Sequence, residues 1–118
     1  MKNERILIAD DQSVVRQGVE RVIETFGEED GHRIVGSAES VSEVESLLKG
    51  GLRPTVALVD GKFPNRGDGE KAAEIIRRLS PSTVIVAFSS EPQNYGDTQW
   101  NKRQSSQDLI YSLTNLQH

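Results

Sequence analysis

Asp10-Asp11, Asp60 and Ser89-Ser90 each stand directly after a short, nearly unbroken apolar run of this 118-residue chain. Three carboxylates gathered in one place cost electrostatic energy unless a cation or a proton relieves them. Hard oxygen donors of this kind suit Mg²⁺, which keeps several waters and takes one or two carboxylates plus phosphate oxygens. A carboxylate can also attack phosphorus and form an acyl phosphate. Mg²⁺ and a lysine ammonium then neutralise the transferring group, and Lys102 is placed to supply that ammonium. Taken singly, each Asp reads as a helix cap or turn residue, and Lys102 as an exposed lysine. The set favours a divalent-cation site.

The runs before these residues are Ile6-Leu7-Ile8-Ala9, Val56-Ala57-Leu58-Val59 and Val84-Ile85-Val86-Ala87-Phe88. They are too short for helices and rich in β-branched residues, as strands covered on both faces should be. The more polar Arg33–Ala38 run reads as an edge strand. Helical stripes lie between them. Val15, Val19, Val22 and Phe26 form the first, and Val41, Val44 and Leu48 the second, opened by a Ser40…Glu43 capping box and closed by Gly50-Gly51. Ala72, Ile75, Ile76 and Leu79 form the third, stopped before Pro81; Leu109, Ile110, Leu113 and Leu116 form the last. Strand and helix alternate, which predicts an α/β doubly wound parallel sheet in one domain over residues 1–118. In such sheets ligands bind beyond the carboxyl ends of the strands, where the three acids and two hydroxyls converge.

The stretch from Glu91 to Gln104 is polar and turn-rich. A fifth strand is expected around Thr98–Lys102, with room before it for about one helical turn at ~1.5 Å rise per residue.

Composition removes other chemistries. There is no cysteine, so disulfides, thiolate zinc sites and cysteine nucleophiles are out. The net charge of −4 argues against nucleic-acid binding. No apolar run approaches the roughly 20 residues of a membrane span, and the N-terminus carries no signal-peptide core. A cytoplasmic setting is expected. His32 and His118 lack partners at ligand spacing and read as surface residues; Arg77-Arg78 reads as the solvated face of the third helix.

These residues resemble the receiver domain of two-component response regulators over essentially the whole chain. RILIADDQ at 5–12, VALVDGKFP at 56–64, VIVAFSS at 84–90 and, less well, WNK at 100–102 carry the likeness. It implies a flavodoxin-like sheet of order 2-1-3-4-5. It also implies Asp60 as phosphoacceptor, with Mg²⁺ held by Asp11, by Asp10 through water, by Asp60 and by the Lys62 backbone carbonyl. Ser89 matches the switch hydroxyl and Lys102 the lysine that pairs with the phosphoryl group. A histidine kinase or phosphotransfer domain would dock on the first helix, and output would pass to a downstream protein or a homodimer.

The chain departs from the family in four places. Asp68 stands where the family has Gly, with Gly69 one later. Arg103 replaces the Pro after the lysine, and Gln99 the switch aromatic. The fourth helix is reduced or missing between Ser89 and Lys102. Lys62 and Glu91, two residues past Asp60 and Ser89, occupy positions that tune hydrolysis of the acyl phosphate, and are expected to pair over the site. The leading expectation is a phosphoacceptor module with weak self-phosphorylation and hydrolysis, not a turnover enzyme. One alternative is a pseudo-receiver, an interaction or dimerisation module independent of phosphorylation. A small Asp-nucleophile phosphatase ranks last, since Lys62 stands where it wants a second carboxylate.

Overall fold

The computed structural model describes residues 3–117. Five strands, β1 (Arg5–Ala9), β2 (Arg33–Ala38), β3 (Val56–Val59), β4 (Val84–Ser89) and β5 (Thr98–Asn101), form one sheet. The helices are α1 (Ser13–Val22), α2 (Val41–Lys49), α3 (Asp68–Leu79) and α4 (Ser106–Thr114). Every strand pairing is parallel and the order is β2-β1-β3-β4-β5, the doubly wound order expected.

The continuous apolar runs are explained by burial on both faces. Leu7, Ala9, Ala57, Val59, Ile85 and Ala87 point to the side covered by α2 and α3. Ile6, Ile8, Val56, Leu58, Val86 and Phe88 point to the side covered by α1 and α4. Successive side chains of a strand alternate faces, so a strand between two cores has no polar alternation to show. The Ser40 hydroxyl accepts from the Glu43 amide at 3.2 Å, while the Glu43 carboxylate reaches back to the Glu39 amide at 3.0 Å. The capping pair thus closes one residue earlier than in the standard box.

Two sequence expectations fail near the end of α1. Spacing places Phe26 in the buried stripe, but the helix widens into a π-helical segment, Ile23–Gly27, followed by a 3-10 turn, Glu28–Asp30. That change of pitch brings Ile23 into the core at 2% exposure and turns Phe26 out at 54%. His32 is not a surface residue. It is buried at the start of β2, its Nδ1 accepting from the Glu4 amide at 3.3 Å and its Nε2 lying 3.1 Å from Thr114 Oγ1. Thr114 in turn donates to Asp30 at 3.1 Å. Single histidines carry no periodicity, so nothing in the sequence announces this network. His118 lies outside the described residues.

The crossover from β4 to β5, residues 90–97, contains no helix. Parallel neighbours normally need a dozen or more residues between them, and three local devices make the short route possible. Tyr95 drops into the core beside Phe63 and Ala87, its hydroxyl donating to the Val59 carbonyl. Gly96 presses against β4, where a Cβ would stand 2.7 Å from the Ala87 nitrogen. Asp97 acts as an extra rung, its carboxylate accepting from the Ile85 amide at 2.8 Å and its own amide donating to the Ile85 carbonyl at 2.7 Å. Arg77 from α3 donates to the Tyr95 carbonyl at 2.7 Å and lies 3.7 Å from Asp97, so it braces the crossover from a largely solvated position.

Candidate functional site

Sheet register brings the acids together. Asp10 follows β1 and Asp60 follows β3, and the Asp60 amide donates to the Ala9 carbonyl at 2.9 Å, extending the ladder one rung past both strands. Asp10 is buried; its amide donates to the Ala38 carbonyl at 3.0 Å and its Oδ1 accepts from the Gln12 amide at 2.9 Å. Arg16 of α1 donates to the Asp10 carbonyl at 2.7 Å and lies 3.6 Å from Glu39, tying the acidic turn to α1. Asp11 is exposed at the rim.

Lys102 reaches in from the end of β5. Its ammonium lies 2.5 Å from Asp10 Oδ2 and 3.2 Å from Asp60 Oδ2. Its amide donates to the Ser89 carbonyl at 3.3 Å, anchoring the lysine to the end of β4. Ser89 is buried, and its hydroxyl accepts from the Glu91 amide at 3.2 Å. The structure therefore gathers Asp10, Asp11, Asp60, Ser89 and Lys102 at one end of the sheet.

Carboxylate oxygens of Asp10, Asp11 and Asp60 all lie within 4.8 Å of one another. Burial, and then the charge of Asp10, raise the proton affinity of Asp60 above the ordinary carboxylate range; the Lys102 ammonium and the Lys62 amide only partly offset them. A single ammonium therefore leaves the cluster short of positive charge. Three hard oxygen donors with unmet negative charge fit a divalent cation such as Mg²⁺. The same burial, followed by the charges of Asp60 and Asp10, pushes the Tyr95 hydroxyl above its usual range, so Tyr95 stays protonated as a donor.

The acids open into a cleft of about 670 Å³, lined also by Lys62, Glu91, Gln93 and Arg66. Lys62 and Glu91 are both exposed, and no ion pair joins them among the described residues, so the expected pairing over the site is not formed. The departure at 68–69 has a steric reason. A Cβ on residue 69 would stand 2.5 Å from the Asp60 carbonyl and 2.7 Å from the Tyr95 ring, so the glycine belongs at this position. Asp68 is spent on the loop before it, its carboxylate accepting from the Asn65 amide at 2.8 Å.

Sequence reasoning missed Tyr95 and the structural role of Gln99. Tyr95 fills core volume beneath Asp60, and an aromatic followed by glycine inside a polar stretch was the available signal. Gln99, where a switch aromatic was expected, accepts from the Gln93 amide at 2.8 Å and donates to the Glu91 carbonyl at 3.1 Å. It staples the crossover rather than acting as an aromatic toggle.

Comparison with known proteins gives a consistent picture. The family model described as the response regulator receiver domain matches residues 6–102. The response regulator GacA of Pseudomonas protegens is 40% identical over 86 residues, which is 72% of this chain and 38% of that protein. The transcriptional regulatory protein PdtaR of Mycobacterium tuberculosis is 33% identical over 72% of this chain and 40% of its own length. The chain thus matches well under half the length of these curated relatives. Among solved structures, a CheY-like receiver domain from Methanospirillum hungatei superposes with a TM-score of 0.76 at 26% identity, covering 96% of this chain and 93% of that one.

Proposed function

Because this chain belongs to the response-regulator receiver family and so has a place in two-component signalling, we propose that Asp60 accepts a phosphoryl group from a phosphohistidine on a kinase or phosphotransfer domain. The observation that carries the reading is the Lys102 ammonium set between Asp10 and Asp60, with Asp11 alongside. In the transfer, an Asp60 carboxylate oxygen bonds to phosphorus, the bond from phosphorus to the donor imidazole breaks, and the electron pair leaves with the ring. Lys102 then pairs with the phosphoryl oxygens and the Ser89 hydroxyl donates to one of them. Asp11, Asp10 through water, Asp60 and the Lys62 carbonyl would hold Mg²⁺. Bound there, the ion supplies charge neutralisation that Lys102 alone cannot.

The domain signals by protein contact and is not a turnover enzyme. Its net charge of −4 argues against nucleic acid as the partner of this domain. Among the described residues no helix is long and apolar enough to cross a membrane, and the family context favours the cytoplasm.

Acetyl phosphate with Mg²⁺ tests the reading. Intact-mass measurement should show one added phosphoryl group on the wild type and none on Asp60→Asn; an unlabelled wild type rejects it. Gln99 in the switch position and the missing helix favour one rival, a phosphorylation-independent interaction module. Beryllofluoride with Mg²⁺ separates the two: shifts in the amide resonances of Ser89 and Lys102 support phosphoacceptance, and silence supports the rival.

A further inference from the structure

We propose that the Gln93 carboxamide orients the water that hydrolyses phospho-Asp60, so that the β4–β5 crossover sets the lifetime of the phosphoryl group. This rests on Asp60 being the phosphoacceptor. Gln93 belongs to the segment that stands in for the missing helix, and its position is fixed from two sides. Its backbone amide donates to Gln99 Oε1 at 2.8 Å, while Gln99 Nε2 holds the Glu91 carbonyl at 3.1 Å. Its side chain lies against Gly61, the residue next to the acceptor. A Cβ built on Gly61 would stand 3.0 Å from Gln93 Cδ, 3.0 Å from Nε2 and 3.2 Å from Oε1, so the amide plane faces the glycine and uses the space its missing Cβ leaves.

The carboxamide makes no hydrogen bond to the protein among the described residues, although it lines the same cleft as Asp60, Ser89 and Lys102. It has an open acceptor and an open donor. Oε1 accepts a hydrogen bond from the attacking water and so orients it, the use that nucleotide hydrolases make of a glutamine, while Nε2 donates to a phosphoryl oxygen. The water oxygen bonds to phosphorus, the bond from phosphorus to the Asp60 carboxylate oxygen breaks, and its electron pair returns to the carboxylate. The water proton leaves with the phosphate. The exposed charges of Lys62 and Glu91 flank this group but offer no neutral donor–acceptor pair on one rigid plane.

The test labels the protein with acetyl phosphate and Mg²⁺, removes the donor and follows decay by intact mass. Gln93→Ala should lengthen the lifetime about 10-fold, less than the roughly 10²–10⁴-fold of a group that itself transfers a proton, because the carboxamide only orients the water. Gly61→Ala pushes the carboxamide aside without altering its chemistry and should lengthen the lifetime in the same direction. Independently of turnover, the Gln93 side-chain amide resonances should shift when Mg²⁺ and beryllofluoride are added. Lifetimes unchanged or shortened in Gln93→Ala, or side-chain resonances that stay still, overturn the proposal while leaving the phosphoacceptor intact. A wild type that takes no label removes the reading beneath it.

Discussion

Asp60 is held as a charged group at a place that disfavours its charge, and this has a measurable cost. Its folded proton affinity lies above its ordinary value of 3.8. The proton therefore binds the folded state more tightly than the unfolded one: the group favours folding below pH 3.8, and that benefit is lost as pH rises through the raised folded value. Asp60→Asn removes the burden. Without Mg²⁺ at pH 7 it should raise the melting temperature. The gain should shrink on approach to pH 4, and a lower melting temperature at pH 7 would contradict the electrostatic account. Lys62 and Glu91 pose a different question at the same scale. They do not pair, yet both line the cleft, so Lys62→Ala and Glu91→Ala should each change the phosphoryl lifetime by acting on water singly. Unchanged decay in both would return them to the status of solvated charges, for which even a formed pair is worth ~0–1 kcal/mol.

The elements that hold these residues differ in how openly the sequence declares them. β1, β3 and β4 are legible because burial on two faces demands unbroken apolar runs, and their acidic or hydroxyl ends mark the site in the sequence itself. α2 declared itself through its cap. The end of α1 did not, because a π-helical segment shifts which residues face inward without changing composition. The crossover is legible only as an omission: its length and lack of an apolar stripe leave room for about one helical turn, but Tyr95, Gly96 and Asp97 work through contacts distant in sequence. Two predictions belong here. Tyr95→Phe removes the side-chain donor to the Val59 carbonyl, one hydrogen bond beyond the sheet ladder, which should cost about 0.5–1.5 kcal/mol in urea unfolding; Tyr95→Ala adds a cavity and should cost about 3–5 kcal/mol. His32 concerns the opposite end of the fold. Burial lowers its proton affinity below the reference of 6.5, against the raising influence of Asp30 and Glu4. The unfolded chain then takes up the proton first, so stability is complete above pH 6.5 and is lost as pH falls below it. Wild-type stability should decline between pH 7 and 5, and His32→Gln should flatten that slope.

Across the whole molecule, the bared flank left by the missing helix is not greasy. Gln99, Asn101 and Asp97 are exposed there, whereas the exposed large apolar side chains among the described residues are Val14, Phe26 and Tyr111 on or beside α1 and α4. A flank this polar offers little area for self-association. Gln99→Arg should accordingly leave the sedimentation coefficient unchanged at high protein concentration with beryllofluoride and Mg²⁺, and a shift from dimer to monomer would locate assembly on that flank.

The brevity of residues 90–97 also bears on how the chain reaches its native state. Drawing β5 alongside β4 closes a tether roughly half as long as one containing a helix, and each halving spares about 0.6 kcal/mol of closure entropy. The edge strand therefore gives up slightly less freedom as it docks, and doubling the crossover with inserted residues should cost about 0.6 kcal/mol in urea unfolding.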